Sequence, residues 1–136
     1  MAAAPEVPRL TVLVVEDEPD VRVIQRLFLQ RAGFEVREAA NGAEAVEVLR
    51  AAPDEIDAVL LDVMMPVMTG HDTLPALRAI DPDLPVVFCS GYDRGEVAEH
   101  IARPGAYTAF LPKPFERGDL VAELQRAVAA RGGATP

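Results

Sequence analysis

The stretch Leu10-Thr-Val-Leu-Val-Val-Glu-Asp-Glu-Pro19 indicates how this chain folds. Its first six residues form a nearly continuous apolar run, which is typical of a strand buried on both faces of a parallel sheet. Three acidic residues follow, and then a proline, which is favoured in the first turn of a helix. The stretch therefore predicts a strand, a short acidic turn and the beginning of a helix.

The same alternation of an apolar run with a helical pattern occurs five times along the chain. The predicted strands cover residues 10–15, 34–39, 58–61, 85–89 and 107–111, and the predicted helices residues 19–32, 43–51, 72–80, 95–103 and 117–131. In the first helix Val21, Ile24, Leu27 and Phe28 recur at helical spacing and predict the face that packs on the core. Five strand–helix units predict an α/β doubly wound fold with a parallel sheet. We expect one domain over residues 9–131 and loose ends at residues 1–8 and 132–136.

Composition and charge narrow the class of protein. The chain has 136 residues, of which 50% are hydrophobic, enough for a single domain with a core. Its formal net charge of −9 would repel nucleic acid. No apolar run reaches membrane-spanning length and the first residues lack a secretory signal, so we expect a cytoplasmic protein without membrane contact. Cys89 lies in an apolar run and is expected in the core, and the two histidines do not suggest a zinc site.

Polar residues follow four of the predicted strands. Glu16 and Asp17 follow the first strand, Asp62 the third, Ser90 the fourth and Lys113 the fifth. The carboxyl ends of parallel strands meet at one edge of a sheet, where such folds bind ligands. Converging carboxylates need a cation between them, and an open site with oxygen ligands favours Mg²⁺. A lysine and a hydroxyl beside them suit a phosphoryl group, and an aspartate can itself be the nucleophile that accepts it.

With these motifs the sequence resembles the receiver domains of two-component response regulators. The matching segments are Val14-Val-Glu-Asp-Glu-Pro19, Leu60-Leu-Asp-Val-Met-Met-Pro66 with Gly70, Phe88-Cys-Ser-Gly91 and Phe110-Leu-Pro-Lys-Pro-Phe115, which occur in the family's order over about residues 10–130. The resemblance implies a flavodoxin-like (βα)5 fold whose five-stranded parallel sheet has the order 2-1-3-4-5. Two departures from the family's commoner residues, Glu16 for aspartate and Ser90 for threonine, keep the carboxylate and the hydroxyl.

The resemblance also implies a role for each site residue. Asp62 would be the phosphoacceptor, and Asp17, Asp62 and the backbone carbonyl of Met64 would bind Mg²⁺, with Glu16 acting through a water. Lys113 would pair with the phosphoryl group, and its bond to Pro114 is commonly cis in the family. Ser90 would be the switch hydroxyl and Phe110 the switch aromatic.

The implied phosphodonor is a sensor histidine kinase or a histidine phosphotransfer protein. We expect its helix to dock on the outer face of the first helix, on Pro19, Arg22, Val23 and Arg26. Met64 and Tyr92 flank the approach of water to the phosphoryl group in the family. Neither side chain orients water as a carboxylate would, so slow dephosphorylation is expected.

Other classes of protein remain as alternatives. We expect either a stand-alone receiver or a receiver excised from a hybrid histidine kinase, in both cases without an attached output domain. A haloacid dehalogenase-type phosphatase would need an aspartate where Met64 stands. A nucleotide or flavin carrier is disfavoured by the absence of a Walker pattern and by the acidic turn after the first strand.

Overall fold

The computed structural model describes residues 10–63, 65, 68–90, 106–113 and 115–133, and of His71, Ser90, Gly132 and Gly133 it describes only the backbone. Its elements, in chain order, are β1 (Thr11–Val15), α1 (Pro19–Arg31), β2 (Glu35–Ala39), α2 (Gly42–Ala51), β3 (Ala58–Asp62), α3 (Gly70–Ile80), β4 (Val86–Ser90), β5 (Thr108–Pro112) and α4 (Arg117–Gly133). The predicted helix at residues 95–103 lies outside the described residues.

The five strands form one parallel sheet in the order β2-β1-β3-β4-β5. This is the fold class and the strand order that the sequence predicts. The central strand β3 is buried along its whole length, because helices cover both faces of the sheet. Every described strand boundary falls within one residue of its predicted position.

Alternate residues of each strand point into two separate apolar cores. Val59 and Leu61 of β3 pack in the core formed with α2 and α3, together with Leu49 and Leu77. Ala58 and Leu60 pack in the opposite core, to which α1 contributes Leu29 and α4 contributes Leu120, Leu124 and Ala127. This period of two also decides the face on which a residue at the end of a strand lies.

Short polar residues and glycine fix the ends of the helices. The side chains of Asn41 and Thr69 accept hydrogen bonds from the backbone N–H groups of Glu44 and Asp72, and so cap α2 and α3. Gly33, which has a positive φ of 100°, ends α1 and lets the chain turn into β2. These residues therefore define where α2 and α3 begin and where α1 ends.

The buried face of α1 differs from the prediction. Ile24 and Leu27 were expected in the core, but they are 51% and 40% exposed, whereas Gln25 and Leu29 are buried. The helix presents a polar amide to the interior, where Gln25 Nε2 lies 4.0 Å from the sulfur of Cys89. Phe28 packs against the core as predicted, so the apolar pattern of α1 matches its burial only in part, and Ile24 and Leu27 face solvent.

None of the helices in the described part of the chain has both the length and the apolar character needed to span a bilayer.

Candidate functional site

Three ionisable side chains meet at the carboxyl edge of the sheet. Glu16 follows β1, Asp62 ends β3 and Lys113 follows β5. The Lys113 Nζ lies 2.8 Å from Glu16 Oε1 and 3.7 Å from Asp62 Oδ2. Glu16 is 1% exposed and Asp62 is 4% exposed, while Lys113 is more open to solvent. The structure therefore brings together three of the residues that the sequence singles out, from strands that are distant in sequence.

The alternation of side chains along the strands explains why these residues share one face. Asp62 is two residues beyond Leu60, and Lys113 is two residues beyond Leu111, and both leucines belong to the core under α1 and α4. Glu16 follows Val14 of the same core in the same way. All three polar groups therefore emerge on the α1 and α4 side of the sheet edge, where the apolar core ends.

The charges at this edge favour the protonated form of Lys113. Burial lowers the pKa of Lys113, but its hydrogen bond to Glu16 and the negative charge of Asp62 raise it more, and the net pKa lies above its usual value. Lys113 therefore stays positively charged at neutral pH and can act as a fixed point charge toward an anionic group.

Arg22 of α1 holds the backbone of the acidic turn. Its Nη1 donates a hydrogen bond of 2.7 Å to the carbonyl oxygen of Glu16, and its Nε lies 3.2 Å from Glu38 at the end of β2. Arg26 contacts the second oxygen of Glu38 at 3.0 Å. The sequence predicts both arginines on an outer docking face, and in the structure their heads are engaged with Glu16 and Glu38 of the same chain. A basic residue one turn into a helix that follows an acidic turn is the signal that could have indicated this contact.

A buried polar pair lies directly behind the carboxylates. Gln25 Nε2 lies 4.0 Å from Cys89 Sγ, and both side chains are 1% exposed. Burial raises the pKa of the Cys89 thiol well above its usual range. Cys89 is therefore a protonated, unreactive core residue, as its place in an apolar run predicts.

Two of the remaining predicted site residues, Asp17 and Phe110, have described side chains. Asp17 is half-buried beside Glu16, and Phe110 is half-buried against the core of α2 and α3. The backbone of Ser90 ends β4 and pairs with Pro112, but its side chain is not described. Met64, Tyr92 and Pro114, with its predicted cis bond, lie outside the described residues.

The donor set at this edge fits a hard divalent cation. One ligand atom from each of Glu16, Asp62 and Cys89 lies within 4.8 Å of the other two. Mg²⁺ takes oxygen ligands rather than a protonated thiol, so the carboxylates of Glu16 and Asp62 are the relevant donors of this group, which does not include Asp17. The carboxylates of Glu16 and Asp62 face the single positive charge of Lys113, and a divalent cation would offset the remaining negative charge.

Comparisons with known proteins agree with this geometry. The family model described as the response regulator receiver domain matches residues 12–125. The chain is 40% identical over 115 residues to the sensor kinase CckA of Brucella abortus, an alignment that covers 85% of this chain and 12% of CckA. It is 40% identical over 123 residues to the transcriptional regulatory protein PrrA of Mycobacterium tuberculosis, covering 89% of this chain and 51% of PrrA.

A solved structure shares both the fold and part of the sequence. The chemotaxis protein CheY4 of Vibrio cholerae superposes with a TM-score of 0.79 at 34% identity, covering 88% of this chain and 99% of that one. The chain spans 51% of PrrA and 12% of CckA, so it covers about half or less of these curated relatives. It covers 99% of the CheY4 structure. It therefore belongs to the family of response regulator receiver domains of two-component systems.

Proposed function

We propose that this receiver domain accepts a phosphoryl group on Asp62 from a phosphohistidine and changes its partner contacts in response. The observation that carries the proposal is the convergence of Glu16, Asp62 and Lys113 at the carboxyl edge of the sheet. Family membership supports it, because receiver domains belong to signalling proteins.

The proposed reaction is a single displacement at phosphorus. A carboxylate oxygen of Asp62 attacks the phosphorus atom and the phosphorus–nitrogen bond of the donor breaks. The imidazole nitrogen keeps the bonding electron pair and takes up a proton, and an aspartyl phosphate remains on the receiver. The donor nitrogen, the phosphorus atom and the attacking oxygen of Asp62 must lie in line, which the buried end of β3 would favour.

Mg²⁺ would be held by Asp17, Asp62 and the backbone carbonyl of Met64, with Glu16 acting through a water. When bound, this ion neutralises negative charge on the phosphoryl oxygens. Lys113 now pairs with Glu16, and we propose that its ammonium group turns to a phosphoryl oxygen once one is present. The Arg22 hydrogen bond would hold the backbone of the acidic turn still during this exchange.

The conformational response is assigned to Ser90 and Phe110. Both residues lie in neighbouring strands at the carboxyl half of the sheet, in β4 and β5. We propose that the Ser90 hydroxyl moves to a phosphoryl oxygen and that Phe110, now half-buried, packs further inward. The partner contacts that change as a result would be protein contacts, since the net charge of −9 disfavours nucleic acid.

The surface proposed for the phosphodonor is the exposed apolar part of α1. Val23, Ile24 and Leu27 are 37%, 51% and 40% exposed, and they lie within two turns of one another. They replace Arg22 and Arg26 as the docking residues, because those arginines are bound to Glu38. A histidine kinase or histidine phosphotransfer protein would place a helix on this patch, in the cytoplasm, whether the receiver acts alone or within a hybrid kinase.

The test uses a small phosphodonor, so that it does not depend on a partner. The purified protein is incubated with acetyl phosphate in the presence of Mg²⁺ or of excess chelator, and its intact mass is measured. We expect one added phosphoryl group with Mg²⁺, none with the chelator and none for Asp62→Ala. Labelling that proceeds equally in the chelator, or equally in Asp62→Ala, would overturn the proposal.

A further inference from the structure

Arg31 and Arg117 differ from the other cationic side chains of the described residues in their contacts. Each of the other described arginines, and Lys113, contacts a carboxylate or a backbone carbonyl. Within the described residues Arg31 and Arg117 have no such partner, although the chain carries 22 acidic residues and 13 basic ones. Two unpaired guanidinium groups in so acidic a protein indicate a place where negative charge can be supplied from outside.

Both arginines line the same groove. It lies between the end of α1 and the first half of α4, has a volume of about 340 Å³, and has Gln125 as a third polar lining residue. Ala32, Val121 and Ala122 form small apolar parts of its wall. The groove therefore offers two guanidinium groups to acidic side chains, together with small apolar side chains for contact.

The groove continues the exposed apolar patch of α1. Ile24, Leu27 and Arg31 are spaced by three and then four residues, which places them along one side of the helix. Arg31 is exposed, like Ile24 and Leu27 before it. A helix laid along α1 would thus meet apolar side chains first and the two arginines one to two turns further on.

We propose that the Arg31–Arg117 groove binds acidic side chains of a partner helix whose apolar residues cover Ile24 and Leu27. This inference rests on the proposed function, because the partner is the phosphodonor that docks on α1, and it specifies the chemistry by which that donor is recognised. A helix fits better than a free anion, because the groove wall and the adjoining patch are apolar. Planar guanidinium groups favour carboxylates of defined orientation, so the pair selects among donors by charge.

The test measures phosphotransfer from the histidine kinase or phosphotransfer protein of the source organism that labels this chain fastest. The variant carries Arg31→Glu and Arg117→Glu together. The control carries Arg37→Glu and Arg50→Glu, which change the net charge equally at exposed arginines of β2 and α2. We expect the transfer rate to fall roughly tenfold in the groove variant and less than about twofold in the control.

Two further measurements separate this inference from the proposed function. Labelling by acetyl phosphate should be unchanged in the groove variant, since neither arginine touches Asp62; if the wild type itself takes no label, it is the proposed function that fails. Replacing acidic residues of the partner helix by lysine should restore transfer to the groove variant. Transfer at the wild-type rate in the groove variant, or a loss that no acidic-to-lysine replacement reverses, would overturn the inference. So would an equal loss in the control, or a loss of labelling by acetyl phosphate.

Discussion

Replacing Gly70 by alanine should disturb the strand that carries the phosphoacceptor. Gly70 is the first residue of α3, and its N–H donates a 3.0 Å hydrogen bond to the carbonyl of Val63. A Cβ at this position would lie 2.8 Å from the carbonyl oxygen of Asp62 and 2.9 Å from the Cα of Val63. Both atoms belong to the backbone at the end of the buried central strand, which cannot move aside as a flexible side chain can.

The cost follows from overpacking a rigid site. Inserting a methyl group against fixed atoms costs about 1–3 kcal/mol, of which alanine's better helix propensity returns up to about 1 kcal/mol. We therefore expect Gly70→Ala to lower the free energy of unfolding by about 1–2 kcal/mol. Labelling of Asp62 by acetyl phosphate should also slow, because α3 can only relieve the clash by moving the backbone beside that residue.

Gly118 provides the matched control, because a Cβ there meets no atom within 4 Å. Gly118→Ala in α4 should be neutral or stabilise the protein by up to about 1 kcal/mol. Urea unfolding followed by far-UV circular dichroism measures both variants, since the chain contains no tryptophan for fluorescence. If Gly70→Ala unfolds at the same urea concentration as wild type and labels at the same rate, the backbone at the end of β3 tolerates the added methyl group and the clash is not real.

Three further predictions concern the same edge of the sheet. Arg22→Ala removes the hydrogen bond to the Glu16 carbonyl, so we expect the free energy of unfolding in urea to fall by about 1–3 kcal/mol. We also expect that a higher Mg²⁺ concentration is needed for half-maximal labelling; an unchanged Mg²⁺ concentration would contradict a positioning role for Arg22. The Cys89 thiol should resist iodoacetamide until the protein unfolds. Because the pKa of Cys89 is raised in the folded state, the free energy of unfolding should fall as pH rises above 9.0, by up to about 1.4 kcal/mol per pH unit. The fall should be less steep in Cys89→Ala, and an equal dependence on pH in the two proteins would contradict this. Loss of phosphate after donor removal should be slow and should accelerate in a variant combining Met64→Asn with Tyr92→Glu, and equal rates would show that these side chains do not set the lifetime.

The strands were predictable because each is a short, dense run of apolar residues. The run Ala58-Val-Leu-Leu61 is buried on both faces in the structure, so its composition alone indicates a central strand. Placement of Glu16, Asp62 and Lys113 at one edge then follows from the geometry of parallel sheets, since each residue lies just beyond a strand or at its last position.

The orientation of α1 could not be read from its apolar pattern. Gln25 is buried with its Nε2 4.0 Å from Cys89 Sγ of β4, and the nearby Arg22 and Arg26 reach Glu38 of β2. These partners lie in β2 and β4, far away in sequence. A pattern within a single helix cannot report them, and the exposure of Ile24 and Leu27 is the consequence.

The most direct test of the central claim identifies the residue that carries the phosphoryl group. The protein is labelled with acetyl phosphate and Mg²⁺, the acyl phosphate is reduced with borohydride, which converts the modified aspartate to homoserine, and the peptides are sequenced by mass spectrometry. We expect homoserine at position 62 and unmodified aspartate at position 17. Homoserine at another position, with aspartate intact at position 62, would contradict it.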